Sequence, residues 1–348
     1  MGRYWREFLA VLAGVTVLVG GCAAASHLKV LQTPSVPSSL PFALPSPSSA
    51  TAFQRGIDVD FYAYPGQDVT AAADVTVDYV RSLHANAIAI SFPFFMTSRY
   101  AAGVHAGSAT PTPDQLATVI TEAQRAGMKV TLRPLLDENA LGESRVHLLP
   151  VNMPAWFASY QKFLYPYLVM ARQLHVSEFI LGTELTRFSR SNQWGKLDTA
   201  TRRIYHGQLG CADNWNVQTD GCGITGQLVD AYQPLLPPLA AAWTSYDASF
   251  PRGTVLAEVG IAAVDDAWNK PYLHGWPGAA LDPAMQAQWF TAACHAATAA
   301  HLGGVYFWSL GLSVDQTGPT LADETQWAHS PGASAISGCF ASIEESGL

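Results

Sequence analysis

From Phe53 onward, short β-rich apolar runs alternate with longer stretches whose apolar positions recur at helical spacing. This is the pattern of repeated βα units wound around a parallel sheet. It predicts eight strands, at Gly56–Tyr62, Ala87–Phe92, Lys129–Leu135, Glu178–Gly182, Gln208–Ala212, Leu228–Tyr232, Thr254–Glu258 and Gly304–Trp308. Helices are expected over Ala73–His84, Thr112–Ala126, Pro154–Leu174, Pro238–Tyr246 and Pro283–His301. At Thr112-Pro113-Asp114 a capping hydroxyl precedes a first-turn proline and an acid that suits the positive end of a helix. Gly127 and Gly303 read as helix-terminating glycines that lead straight into the next strand. The segment from Arg187 to His206 is polar and carries Trp194-Gly195, so a short helix or an irregular excursion is expected there.

Eight such alternations within residues 53–348 suit an α/β (β/α)8 TIM barrel, typically about 250 residues, with loop insertions. An open doubly wound sheet is the alternative, but no GxGxxG or P-loop follows an early strand. The insertion at 137–153, the segment 186–226 and the loop 262–282 should shape the open end.

Before Phe53 the pattern changes. Arg3 and Arg6 precede an apolar stretch from Phe8 to Val19, too short to span a bilayer comfortably, which closes on Val19-Gly20-Gly21-Cys22. Residues 1–21 thus read as a signal peptide. The small residues before Cys22 resemble the bacterial lipoprotein signal, in which Cys22 becomes the acylated N-terminus; an ordinary signal peptide with an incidental cysteine is the alternative. Several acyl chains would hold the protein stably on a bacterial membrane, at its periplasmic or extracellular face. Pro and Ser dominate from Pro34 to Ser49, so residues 22–52 are expected to form a lipidated tether.

Export changes the reading of the cysteines. Cys211, Cys222, Cys294 and Cys339 are even in number and would meet an oxidising compartment. Of three possible pairings, Cys211–Cys222 with Cys294–Cys339 is expected: the first clips a loop, the second staples a helix to the C-terminal segment. A metal site is the rival, but CxxC and HExxH are missing and the His residues show no ligand spacing. Charged residues make up only 13% of the chain, and a net charge of -8 disfavours a nucleic-acid partner.

Candidate chemistry lies where charged residues end apolar strands, because barrel active sites form at the C-terminal strand ends. Phe179-Ile180-Leu181-Gly182-Thr183-Glu184 ends the fourth strand in one glutamate, and Val255-Leu256-Ala257-Glu258 ends the seventh in another. An acid there is costly unless paired, hydrogen-bonded or functional. Two glutamates facing one cleft supply what glycosidic cleavage needs, with retention or inversion decided by their separation. A structural role for each, as a salt-bridge partner of a barrel arginine, is the plainer alternative. A serine hydrolase lacks its GxSxG elbow, and a cysteine nucleophile conflicts with oxidised thiols.

Ile-Leu-Gly-Thr-Glu-Leu at 180–185 resembles glycoside hydrolase family 113, within the clan of retaining barrel glycosidases. Asp213-Asn214-Trp215, Asp230-Ala231-Tyr232 with Pro234, Ala257-Glu258-Val259-Gly260 and Phe307-Trp308-Ser309 look like that family's blocks in the same order, over residues 53 to about 312. The resemblance implies an endo-β-1,4-mannanase or a close relative, with no cofactor. It makes Glu184 the acid/base, Glu258 the nucleophile, Tyr232 the donor that holds Glu258, and Trp308 the sugar platform. Thr183 replaces the Asn usual in the wider clan, and Leu135 stands where a polar residue is expected; both bear on substrate choice.

Further substrate contacts are expected from Asn214, Trp215, Arg133, Asp58, Asp60 and Tyr62. Arg133 could instead serve Glu258 or pair with Asp137 or Glu138, and Asp58 and Asp60 could form a buried network. Tyr64, Phe94, Trp268 and Trp276 also lie in strand-end loops where aromatic faces stack on sugars. The chain is expected to act as a monomer on a polysaccharide or oligosaccharide. Rival readings are a related enzyme or transglycosylase acting on another β-glycan, such as a cell-envelope polymer, and a carbohydrate-binding lipoprotein without activity.

Overall fold

The computed structural model describes residues 52–216, 222–224, 227–315 and 317–347. The expected signal peptide, Cys22 and nearly all of the tether lie outside these residues.

Eight parallel strands close into a barrel in sequential order: β1 (Gln54–Asp60), β2 (Ala87–Phe94), β3 (Lys129–Leu136), β4 (Glu178–Thr183), β5 (Gln208–Asn214), β6 (Gln227–Asp230), β7 (Val255–Val259) and β8 (Gly304–Gly311). All eight expected strands are present, with ends displaced by one or two residues in most cases. Pairing of β1 with β8 completes the ring and leaves no sheet edge. Its helices are α1 (Thr70–Ser82), α2 (Pro113–Arg125), α3 (Glu138–Leu141), α4 (Met153–Gln173), α5 (Gln193–Arg202), α6 (Leu239–Asp247), α7 (Pro283–Ala299) and α8 (Pro331–Ser346).

Local chemistry explains several boundaries. Thr112 and Gln115 form a reciprocal capping box at the start of α2, with Pro113 in the first turn. Gly127 follows α2 in the left-handed conformation, at φ +79°. Gly303 does not end α7 as expected: His301, at φ 55°, takes that role. What requires a glycine at 303 is space, since a Cβ there would sit 2.5 Å from the Gly253 carbonyl oxygen. The 186–206 region holds a single 3-10 turn, Thr186–Phe188, and the ten-residue α5, as its broken pattern suggested.

Two apolar layers hold the fold. Ala87, Ala89, Ile180, Ala212, Leu228, Val255, Ala257 and Tyr306 fill the barrel interior, small residues meeting large ones. A second and larger core lies between strands and helices, where Trp156, Trp194, Trp243, Trp289 and Trp327 are fully buried. Both expected disulfides form, Cys211–Cys222 and Cys294–Cys339, the second joining α7 to α8. Glu344 on α8 also reaches Arg55 at 3.4 Å and His84 at 3.0 Å.

Candidate active site

Above the apolar interior the strand register assembles a polar layer. Asp60, Ser91 and Arg133 are register partners across β1, β2 and β3, while Asn214, Asp230 and Glu258 are partners across β5, β6 and β7. Arg133 reaches across: its Nη2 lies 2.6 Å from Asp230 Oδ1, and its Nη1 lies 2.7 Å from Glu258 Oε1 and 3.5 Å from Asp58 Oδ1. Burial pulls the pKa of this guanidinium down, and the three carboxylates more than reverse that, so it stays charged.

Full burial also corrects two expectations. Arg133 and Asp58 are each 0% exposed, so neither offers a surface to substrate. Arg133 instead serves Glu258, and Asp58 belongs to the buried network, its carboxyl raised well above the usual range by desolvation. The pairings considered for Arg133 with Asp137 or Glu138 are replaced by Asp230 and Glu258.

Glu258 is 2% exposed: the Tyr232 hydroxyl donates to its Oε2 at 2.8 Å, while its Oε1 takes no hydrogen bond and forms an ion pair with Arg133 Nη1 at 2.7 Å. Burial and the neighbouring Glu258 charge raise the Tyr232 phenol, which therefore keeps the proton it donates. A guanidinium and a phenol aimed at one carboxylate are the surroundings an anion requires.

Glu184 sits differently. It directly follows β4 and adopts φ 53°, a left-handed conformation that is uncommon for a side-chain-bearing residue and characteristic of functional turns. Its N–H donates to the Ala212 carbonyl at 2.9 Å and its carbonyl accepts from Thr186 N–H at 2.8 Å, which fixes the turn. Gly182 is required just before it, because a Cβ there would lie 2.6 Å from the ring of Trp194. Asn214 Nδ2 donates to Oε1 at 2.8 Å, and Arg145 Nε lies 3.2 Å from Oε2. Burial pushes the Glu184 carboxyl up; Arg145 opposes it, Glu258 and Glu138 add to it, and the balance is a pKa of about 7.

At the rim, Asp60 is half-buried, accepts from Ser309 Oγ at 2.9 Å, and is raised to about 7, chiefly by desolvation. Tyr62 is 44% exposed at the end of the first strand and hydrogen-bonds Asp137. Trp308 is half-buried, its carbonyl held by Trp327 Nε1 at 3.0 Å. Trp215 stacks on Tyr272, with ring centroids 5.9 Å apart. Phe94 departs from expectation: only 2% exposed, it packs on Tyr160 and Phe163 in the core. Trp268 and Trp276 are partly buried and pack against the core, whereas Tyr64 is 61% exposed.

The strands therefore bring together Glu184, Glu258, Tyr232, Asn214 and Arg133. Sequence reasoning missed Arg145, Ser309 and the central role of Asp230. Among the described residues, no group of three or more His, Cys, Asp or Glu is arranged to hold a metal ion. Chemically, the site offers one carboxyl poised to give and take a proton near neutrality and one carboxyl that faces a guanidinium and accepts from a phenol.

A family model for Glycoside Hydrolase Family 113 matches residues 60–317. No curated protein matches the chain. Among solved structures, a GH113 β-1,4-mannanase complex superposes with a TM-score of 0.72 at 17% identity, over 83% of this chain and 99% of the other. A GH113 β-mannanase from Alicyclobacillus acidocaldarius gives 0.71 at 19% identity, over 84% and 99%. An endo-β-1,4-mannanase from Thermotoga petrophila gives 0.53 at 11% identity, over 84% and 77%. At such identities the structural likeness shows a shared fold.

Proposed function

With that family match spanning well over half of its length, the chain belongs to glycoside hydrolase family 113, and we propose that it is a retaining endo-β-1,4-mannanase with Glu184 as acid/base and Glu258 as nucleophile. It is a glycoside hydrolase of mannanase-like type, and its substrate is a polysaccharide or oligosaccharide.

The observation that carries the mechanistic reading is the contrast between the two carboxyls. Glu184 holds its proton near neutral pH, while Glu258 faces Arg133 and Tyr232. In the first half-reaction Glu184 protonates the glycosidic oxygen as Glu258 attacks the anomeric carbon; the C–O bond breaks and a glycosyl-enzyme forms. The leaving sugar departs with that proton. In the second half, the now ionised Glu184 takes a proton from water, and the water oxygen displaces Glu258 from the sugar. Net retention of configuration follows from two inversions.

The half-buried Trp308 and the exposed Tyr62, with Asp60 at the end of β1 beside Ser309 of β8, supply the apolar face and hydroxyl partners that a sugar needs. The names of the structural neighbours favour a β-1,4-mannan over other β-glycans. The export reading adds that Cys22 is lipidated and that the enzyme works from a bacterial membrane surface.

The test is to incubate the protein with β-mannan, β-glucan, xylan and galactan, beside Glu258→Ala and Glu184→Ala. Mannan oligosaccharides from wild type alone, with Glu184→Ala still cleaving activated aryl glycosides, are the expected products. Undiminished cleavage of a natural glycan by either variant overturns the assignment of roles, and release from another polymer alone overturns the mannanase reading. Absence of turnover on all four favours a binding protein.

A further inference from the structure

We propose that Arg145, delivered by the excursion between β3 and α4, is the positioning residue of the acid/base, holding the Glu184 carboxyl in aim and keeping it able to ionise for the second half-reaction. The inference rests on the assignment of Glu184 above and goes beyond it by naming the cation that controls it.

The geometry begins with Glu138. Its Oε1 accepts from Ser144 Oγ at 3.0 Å and from the Arg145 N–H at 2.5 Å, and lies 3.1 Å from Arg145 Nε. One carboxylate thus clamps the start of the 3-10 turn Arg145–His147 and orients its first side chain. The same Nε lies 3.2 Å from Glu184 Oε2, so two carboxylates share one edge of the guanidinium. Arg145 and Glu184 side chains are each 11% exposed, which leaves the contact little screened by water. Arg145 Nε and Nη1 are both buried without a hydrogen-bond partner among the described residues, so the guanidinium acts on the two carboxylates as a neighbouring charge.

The groups that face Glu184 are Arg133 from β3, Glu138 and Arg145 from the excursion, Asn214 from β5, Asp230 from β6, the neutral phenol of Tyr232 just after β6, and Glu258 from β7. Every carboxylate there favours the protonated form of Glu184, as does burial. Against them stand two cations, and Arg133 is already committed to Asp230 and Glu258. Arg145 is therefore the charge that lets Glu184 give up its proton to the leaving group and then act as a base on water. Without it Glu184 remains an acid that cannot be turned over, and the glycosyl-enzyme accumulates.

The experiment uses mannopentaose and 2,4-dinitrophenyl β-mannoside with wild type, Arg145→Met, Arg145→Lys, Glu138→Gln and Glu184→Gln. The pH dependence of kcat/KM reports the free enzyme's acid. In Arg145→Met the alkaline limb on mannopentaose moves up by about one pH unit, the scale of one lost neighbouring charge. At neutral pH that variant shows a burst of dinitrophenol that wild type lacks, because deglycosylation is slowed, and Arg145→Lys reverses both effects in part. Glu138→Gln, which removes a like charge, moves the limb down. Should Arg145→Met fail to fold, Arg145→Lys and Glu138→Gln keep the sign test intact.

A limb unmoved in every variant, a shift of the same sign for Arg145→Met and Glu138→Gln, or equal losses on both substrates without a burst overturns the inference while leaving the roles of the glutamates standing. Glu184→Gln isolates the other failure: a wild-type alkaline limb that persists in this variant overturns the acid/base assignment itself. Wild type inactive on both probes overturns the functional reading and this inference with it.

Discussion

Replacing Arg133 by Met removes the cation from a layer that holds Asp58, Asp230 and Glu258. The cost can be worked from two limits. At an effective dielectric of about 20, an ion pair at the 2.7 Å seen for Glu258 is worth about 6 kcal/mol. A buried carboxylate stripped of that partner can escape by binding a proton, which costs about 1.4 kcal/mol for each pH unit above an unfolded-state pKa near 4. At pH 7 that is about 4 kcal/mol and at pH 5 about 1.5 kcal/mol, so protonation is the cheaper route and sets the loss. The pH 7 figure sits within the 3–5 kcal/mol typical of breaking a buried pair.

The sign follows from the raised carboxyls. In the variant the folded state binds one more proton than the unfolded chain, so its stability is full below about pH 4 and falls as pH rises. Urea unfolding of wild type and Arg133→Met from pH 5 to 8 should show a difference that widens by about 1.4 kcal/mol per pH unit. Arg133→Lys should recover much of it by keeping the charge. A difference that is flat with pH, or smaller than about 1 kcal/mol at pH 7, would refute the picture of one cation balancing the layer.

Removing the Tyr232 hydroxyl, in Tyr232→Phe, deletes a charge-assisted bond to Glu258 worth about 1.5–3 kcal/mol and should slow turnover roughly 10- to 150-fold with the fold intact, as read by kcat and thermal melting. Asp247, at the end of α6, is 0% exposed, its carboxyl oxygens have no hydrogen-bond partner among the described residues, and burial raises it to about 8. Its contribution is full below the unfolded value near 4 and lost as pH rises through about 8, so Asp247→Asn should flatten the decline of unfolding free energy between pH 5 and 8 by up to about 1.4 kcal/mol per unit; an unchanged slope in urea titrations counts against it. Cys22→Ser should abolish incorporation of labelled palmitate and release the enzyme from the membrane fraction, whereas labelling that survives the substitution refutes the anchor.

Much of this was legible in the chain because barrel strands are short apolar runs that end abruptly. Leu181-Gly182-Thr183-Glu184 and Leu256-Ala257-Glu258 put an acid directly after buried residues, and nothing local competes with that signal. Tyr232 and Asn214 were found through motif resemblance, and both touch the glutamates. Arg145 was hidden because its place depends on the four-residue α3 and on the clamp formed by Glu138, neither of which has a hydrophobic period to read. Arg133 was noticed, yet its partners come from strands 97 and 125 positions away in sequence, so only closure of the barrel could choose them. The helix α8 escaped notice since Gly332 and Gly338 and its many Ser and Ala residues blur its apolar stripe.

The left-handed backbone at Glu184 sets stability and catalysis at odds. Such a conformation costs a side-chain-bearing residue on the order of 1 kcal/mol, a penalty glycine escapes. Glu184→Gly would relieve the backbone, but it would erase the chemistry and leave Arg145 and Asn214 without the carboxyl they face.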